Sequence, residues 1–119
     1  MTTAIFGRWA EQKAGEYLAS RGYTIVERNY RKPWGEIDII AKKKDVLIFV
    51  EVKANQHPVA GFEPELRADR RKQEKIIRTA RTYILERKLP ENQEWQIDVI
   101  SIMLRRERGI IAVKHFRNI

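Results

Sequence analysis

Five consecutive large apolar residues, Val46-Leu47-Ile48-Phe49-Val50, run directly into Glu51-Val52-Lys53. A run this short has strand length rather than helix length. A strand apolar at every position is buried on both faces, which places it in the middle of a sheet with cover above and below. The two charges that end the run are two residues apart and therefore share a face, while Val52 points to the other. A charge buried without a partner costs several kcal/mol. Glu51 and Lys53 must therefore reach a solvated rim, pair with each other, or hold an ion.

The rest of the chain arranges itself around that strand. Residues 4–21 read as a helix, with Phe6, Trp9, Ala10, Ala14, Tyr17 and Leu18 at three- and four-residue steps. Thr2 or Thr3 is positioned to cap its start, and Gly22-Tyr23 to close its end. Residues 23–31 are extended until Pro33, which has no N–H for a ladder. A second strand covers 35–42, Lys43-Lys44-Asp45 turns the chain, and the central strand covers 46–54. The segment 55–64 is a loop with two prolines and a glycine. A long helix is predicted over 66–87, with Leu66, Ile76, Ile77, Ala80, Tyr83 and Ile84 inward. The segments 95–104 and 110–116 form a last hairpin across a turn containing Gly109. The order is α-β-β-β-α-β-β, an α/β fold with a mixed sheet flanked by helices. At 119 residues the chain makes one domain, 1–119.

The strand before the central one adds Glu36 and Asp38, again two apart and on one face. A turn at Lys44-Asp45 sets Asp38 opposite Glu51, whereas a turn centred on Lys43-Lys44 sets Glu36 there. In either register carboxylates gather on one face, and like charges directly opposite are destabilising. A lysine or a divalent cation relieves that repulsion. Oxygen ligands alone suit Mg²⁺ or Mn²⁺, which bind one or two carboxylates plus water and phosphate oxygens. A metal there lowers the pKa of water and neutralises phosphodiester charge, and Lys53 suits orienting water or stabilising the transition state. The competing reading is a surface salt-bridge cluster at a sheet edge, and spacing alone does not separate the two.

Lys plus Arg outnumber Asp plus Glu by 24 to 16, a net charge of +8. That balance points to a polyanionic partner, nucleic acid before an acidic membrane surface. The second helix carries much of it: Arg67, Arg71, Lys75 and Arg78 align at four-, four- and three-residue steps, with Lys72 alongside. A solubilising face is the bland alternative. There is no cysteine, which excludes disulfides, thiolate zinc sites and cysteine nucleophiles, and fits a cytoplasmic protein. The N-terminal stretch lacks a signal-peptide apolar region, and no apolar run approaches the roughly 20 residues that span a bilayer. Gly7, Glu11 and Gly15 share a stripe of the first helix, so close approach of backbone or ligand is expected beside Glu11. Asp98 interrupts an apolar strand, and an ion pair with an arginine of the second helix is expected. His57 and His115 read as loop or surface histidines. Trp34 reads as packing under the hairpin.

Gly35-Glu36-Ile37-Asp38 followed at this distance by Phe49-Val50-Glu51-Val52-Lys53 resembles the D-x(n)-E-x-K signature of the restriction-endonuclease-like nuclease superfamily. More closely, the chain resembles the YraN-like family of bacterial proteins within it. Gly7-Arg8, Glu11, Gly22-Tyr23, Arg28-Asn29-Tyr30-Arg31, Arg71-Lys72 and Ile97-Asp98-Val99 extend the match over nearly the whole chain. The resemblance implies a restriction-endonuclease-like fold and metal-dependent phosphodiester cleavage. Asp38 and Glu51 would be metal ligands, Lys53 the catalytic lysine and Glu11 a further ligand, as in archaeal Holliday-junction resolvases. Ala54 and Asn55 depart from the threonine and arginine often found after that lysine, which removes one phosphate contact. The expectation is a Mg²⁺- or Mn²⁺-dependent DNA endonuclease, for branched or structured DNA. Its nucleic-acid contacts would be Arg31, Arg67, Arg71, Lys72, Lys75 and Arg78, and resolvases imply a homodimer. A nucleic-acid-binding module that cleaves nothing, and a protein-interaction protein, are the competing readings.

Overall fold

The computed structural model describes residues 2–55, 70–105 and 110–119. The elements follow the expected order: α1 (Thr3–Ser20), β1 (Thr24–Lys32), β2 (Gly35–Lys43), β3 (Val46–Asn55), α2 (Arg70–Glu86), β4 (Trp95–Arg105) and β5 (Ile110–Phe116). One sheet runs β1-β2-β3-β4-β5. Pairing is antiparallel except for β3 and β4, which are parallel. A parallel neighbour cannot be reached by a tight turn, so the chain crosses over through α2 before laying β4 beside β3. The central strand is β3, as its continuous apolar run requires. Of the predicted second helix, 66–69 lie outside the described residues, as do 56–64 of the preceding loop and the turn at Gly109.

Each face of the sheet has its own core. On one, Ala10, Ala14 and Leu18 of α1 lie against Ile39, Ala41, Ile48, Val50, Ile100 and Ile102. On the other, Ile76, Ala80 and Tyr83 of α2 cover Ile37, Ile40, Phe49, Ile97 and Val99. Small residues on α1 let its backbone approach the sheet. Tyr83 is wedged edge-on between Tyr30 and Phe49, with ring centroids 5.2 and 5.8 Å apart, a favoured aromatic geometry.

Local chemistry fixes the ends. The Thr2 hydroxyl accepts the Ile5 N–H at 3.1 Å, capping α1. At the other end the Tyr23 N–H reaches Leu18 O and the Gly22 N–H reaches Ala19 O. Gly22, at φ +89°, supplies the left-handed residue that this closure needs. The C-terminus of α2 is tied to β1 through Glu86, which accepts from Tyr30 and Lys32, and through Arg87 with Glu27 at 2.6 Å.

Asp98 does not pair with an arginine of the second helix. Strand alternation turns it to the α1 side, away from α2, and it is fully buried. Its carboxylate takes His115 Nε2 at 2.7 Å, Gln96 Nε2 at 2.9 Å and the Asn118 N–H at 2.9 Å. His115 is correspondingly not a surface residue: its side chain is 5% exposed, and its Nδ1 lies 3.1 Å from the Tyr17 hydroxyl. Burial alone would raise the Asp98 carboxyl, but the bonds from His115, Asn118 and Gln96 outweigh it and hold it below the usual carboxylate range. Asp98→Ala removes the shared acceptor of three part-buried hydrogen bonds and should cost about 3–5 kcal/mol in urea denaturation at pH 7. Because the folded pKa is depressed, this contribution is present above the ordinary value of 3.8. It is lost as pH falls through the folded value, so wild type and variant should converge in strong acid.

Candidate functional site at the divergence of β2 and β3

The β2–β3 hairpin turns at Lys44-Asp45, with Lys44 at φ +55°. Its register runs from Lys43↔Val46 to Ile39↔Val50. Of the two registers open to the sequence, this is the one that sets Asp38 rather than Glu36 toward Glu51. Beyond Ile39↔Val50 the ladder stops. The next N–H of β3, that of Val52, is taken by Asp38 Oδ2 at 2.8 Å. A carboxylate stands where a backbone carbonyl would be, and the two strands part around it. On the other side of β2, Asn29 adopts φ +52° between the pairs Arg28↔Ile39 and Tyr30↔Ile37. A left-handed residue inside a strand is uncommon, and asparagine is among the few side chains that tolerate it. Both neighbours of β2 are therefore irregular beside Asp38.

A cleft of about 230 Å³ opens at this point, lined by Gly35, Glu36, Asp38, Glu51, Lys72, Lys75 and Ile76. Its floor comes from β2 and β3 and its wall from the first turns of α2. The wall is held close at Gly35, where a Cβ would lie 2.5 Å from Thr79 Oγ1 and 3.4 Å from Lys75 O. Only glycine permits that approach. Beside it, the Arg78 guanidinium stacks on Trp34 at 4.2 Å from the ring centroid.

The charges in and around the cleft are unevenly satisfied. Lys53 Nζ lies 3.0 Å from Glu51 Oε1, both about three-quarters buried. Arg31 Nε holds Glu36 Oε1 at 3.0 Å near the surface. Asp38 has no basic partner among the described residues. Burial, first of all, pushes its carboxyl up to about 7; the negative fields of Glu11, Glu51 and Glu36 push the same way, and the Val52 N–H only partly opposes them. Glu11 is half-buried on α1, and its pKa too is raised, by burial and then by Glu36, against the pull of Arg31 and Arg28. Glu11, Glu36, Asp38 and Glu51 thus form one electrostatic neighbourhood. Among the described residues no three carboxylate or histidine side chains already converge into a metal-ligating group.

The structure brings together Asp38, Glu51, Lys53, Lys72 and Lys75, with Glu11 close enough to act on Asp38 through its field. Arg71 is exposed on α2. Arg78 is committed to Trp34 and Arg31 to Glu36. Arg67 and His57 lie outside the described residues. The approach of backbone or ligand expected beside Glu11 is not what these glycines meet: a Cβ at Gly15 would collide with the Arg28 guanidinium, a side chain, and Gly7 has nothing within 4 Å. Glu36 lines the cleft together with Asp38, as their shared face of β2 predicts. One feature beside the cleft escaped the sequence reading. The left-handed Asn29 had only a faint signal, an asparagine among strand formers.

The raised Asp38 value makes a stability prediction. A carboxyl whose folded pKa is raised stabilises the fold below its unfolded value near 3.8, and that contribution is lost as pH rises through about 7. Asp38→Asn keeps an acceptor for Val52 and removes the charge. In EDTA at pH 8 it should be more stable than wild type by about 1–3 kcal/mol, read as a higher Tm, with the gain vanishing near pH 4.

The sequence comparisons bear on the same residues. A protein 40% identical over 111 residues occurs in Lachnoclostridium phytofermentans, the match covering 93% of this chain and 92% of the relative. Another, from Persephonella marina, is 42% identical over 103 residues and 87% of each chain. A third, from Dictyoglomus thermophilum, is 37% identical over 118 residues, 99% of this chain and 98% of the relative. All three bear the name UPF0102 protein. The family model matches residues 10–102, which include Glu11, both strands of the cleft and its helical wall. This chain belongs to UPF0102, described as an uncharacterised protein family.

Proposed function

We propose that the protein is a Mg²⁺- or Mn²⁺-dependent endonuclease acting on DNA, with Asp38, Glu51 and Lys53 at its centre. The observation that carries this reading is the juxtaposition in one cleft of Asp38 and Glu51 with Lys72 and Lys75 across from them. Carboxylates gathered on one floor repel one another, and lysines on the facing wall suit an anion. A phosphodiester bridged to the carboxylates by a cation satisfies both sides at once.

The donors fit such a cation. Asp38 uses one oxygen for Val52 and has no hydrogen-bond partner for the other among the described residues. With Glu51 it offers two hard oxygen ligands from adjacent strands, the number Mg²⁺ ordinarily takes from protein when waters and phosphate oxygens complete its shell. Glu11 is the candidate for a further, outer contact. When bound, the cation supplies charge neutralisation at phosphorus and acidification of water.

The chain's own residues do the rest. Lys53, fixed by Glu51, orients the attacking water and offsets the charge that grows on the phosphoryl oxygens. Lys72 and Lys75 seat the backbone along the wall, and Arg71 extends the basic face. The water oxygen forms the new P–O bond in line with the departing 3′-oxygen, leaving a 5′-phosphate and a 3′-hydroxyl. Asp38 must be ionised to hold the cation, so metal affinity should rise with pH toward about 7.

The test is cleavage of linear, forked and four-way-junction DNA with Mg²⁺, Mn²⁺ or EDTA. The expected result is cutting that needs the cation, disappears in Glu51→Ala, and falls about 10²–10³-fold in Lys53→Ala. Salt-sensitive binding without cutting would instead favour a binding module, and cutting that persists in both variants would mark a contaminant.

A further inference from the structure

At the other end of β3, and on the other face of the sheet, lies a second cleft of about 400 Å³. Tyr23, Lys43, Lys44, Gln96, Arg117 and Asn118 supply its polar lining, and among the described residues no carboxylate lines it. Along β3 the nearest lining residues are Ile48 here and Glu51 in the first, three residues or about 10 Å apart and on opposite faces of the sheet. The two are distinct sites.

Three cations converge here. Lys43 Nζ lies over the Tyr23 ring, 4.7 Å from its centroid. None of Lys43, Lys44 and Arg117 makes an ion pair with a described residue. Like charges brought together repel, and the nearby buried Asp98 carboxylate is already bonded to His115, Gln96 and the Asn118 N–H. The backbone that carries these cations is fixed from beneath. The Asn118 N–H is bonded to the fully buried Asp98, and the Ile119 N–H reaches Ile97 O at 2.9 Å, so Arg117 leaves an anchored backbone. Gln93 Nε2 holds Asp45 O at 2.8 Å, which steadies the turn bearing Lys44. Both Lys44 and Asn118 are left-handed, at φ +55° and +50°. Backbone strain of this kind persists only where its surroundings over-determine it. The buried Asp98 network thus anchors the backbone next to Arg117, which lines the cleft with Lys43 and Lys44.

We propose that this cleft is a second anion site, taking a phosphate group from a nucleic-acid backbone or a free nucleotide. A guanidinium offers paired donors to phosphate oxygens, and two ammonium groups add point charge. The volume lies within the range of small-ligand pockets and accommodates a phosphate with its attached sugar. The site does not depend on the nuclease reading, since nothing in it requires a metal or a cut strand.

Amide-resolved NMR titration of the full chain in EDTA tests it. The probes are inorganic phosphate, adenosine monophosphate and a short oligodeoxythymidine, each against wild type and Lys44→Gln/Arg117→Gln. Saturable shifts at Lys44, Gln96, Arg117 and Asn118 are expected, with affinity lowered about ten-fold or more in the double variant. Saturation by the two small probes identifies a free phosphate or nucleotide as the source; saturation by the oligonucleotide alone identifies the backbone. Should the double variant lose spectral dispersion, Lys44→Gln alone, on an exposed turn, carries the comparison. The proposal is overturned if no probe shifts these amides at millimolar concentration, if shifts appear only beside Asp38, or if the variants bind as wild type does.

Discussion

The hydrogen bond from the Val52 N–H to the Asp38 carboxylate decides where β2 and β3 part and the cleft opens. A β-ladder normally continues until a turn or a break stops it. Here it is stopped by a side chain that occupies a rung. Because an acidic group does the capping, β2 and β3 part at the point where Glu51 and Lys53 leave the apolar run. A neutral side chain of similar shape would keep the hydrogen bond without the electrostatic tension. The tension is the informative part: part-buried Asp38 lies in the fields of Glu11, Glu51 and Glu36 and makes no ion pair with a described residue. Its surroundings favour the protonated carboxyl, so ionising it costs the fold stability.

The glycine at 35 turns that strand divergence into a cleft of defined width. With no Cβ in the way, α2 settles against the start of β2, and Lys72 and Lys75 come to face the carboxylates. The Arg78–Trp34 stack closes the same contact from outside. Arg78 thus does structural work at the edge of the site, although its helical spacing groups it with the residues facing solvent. The second face of the sheet shows the contrary treatment of a buried acid. Asp98 has three donors and a depressed pKa, Asp38 one donor and a raised one. Two aspartates in one sheet, one fully buried and one part-buried at a cleft, differ in what surrounds them.

Much of this was legible in the sequence. A strand period of two put Glu51 and Lys53 on one face, and the unbroken 46–50 run put their strand in the centre. Helical spacing found the inward faces of α1 and α2. The choice between Asp38 and Glu36 was not legible, because it rests on which residues turn the hairpin, and Lys43-Lys44-Asp45 contains no glycine or proline to mark it. The Asp98–His115 pair was missed for a different reason. Its partners come from β5 and the C-terminal residues, and only the strand pairing that sets Ile100 opposite His115 brings them under α1. Spacing within one element says nothing about a partner in another.

The parallel seam between β3 and β4 governs how the molecule assembles. The strands on one side of it, β1 to β3, form a contiguous meander that closes through short turns. Joining β4 to β3 means closing a loop of about forty residues, and the entropy of that closure has to be met before any contact across the seam repays it. The meander carrying Asp38, Glu51 and Lys53 is thus expected to order before the helix that walls them in. The carboxylates remain hydrated through the early steps and lose their water only when α2 docks. The electrostatic penalty of the site is deferred to a stage at which most of the apolar core is ready to offset it.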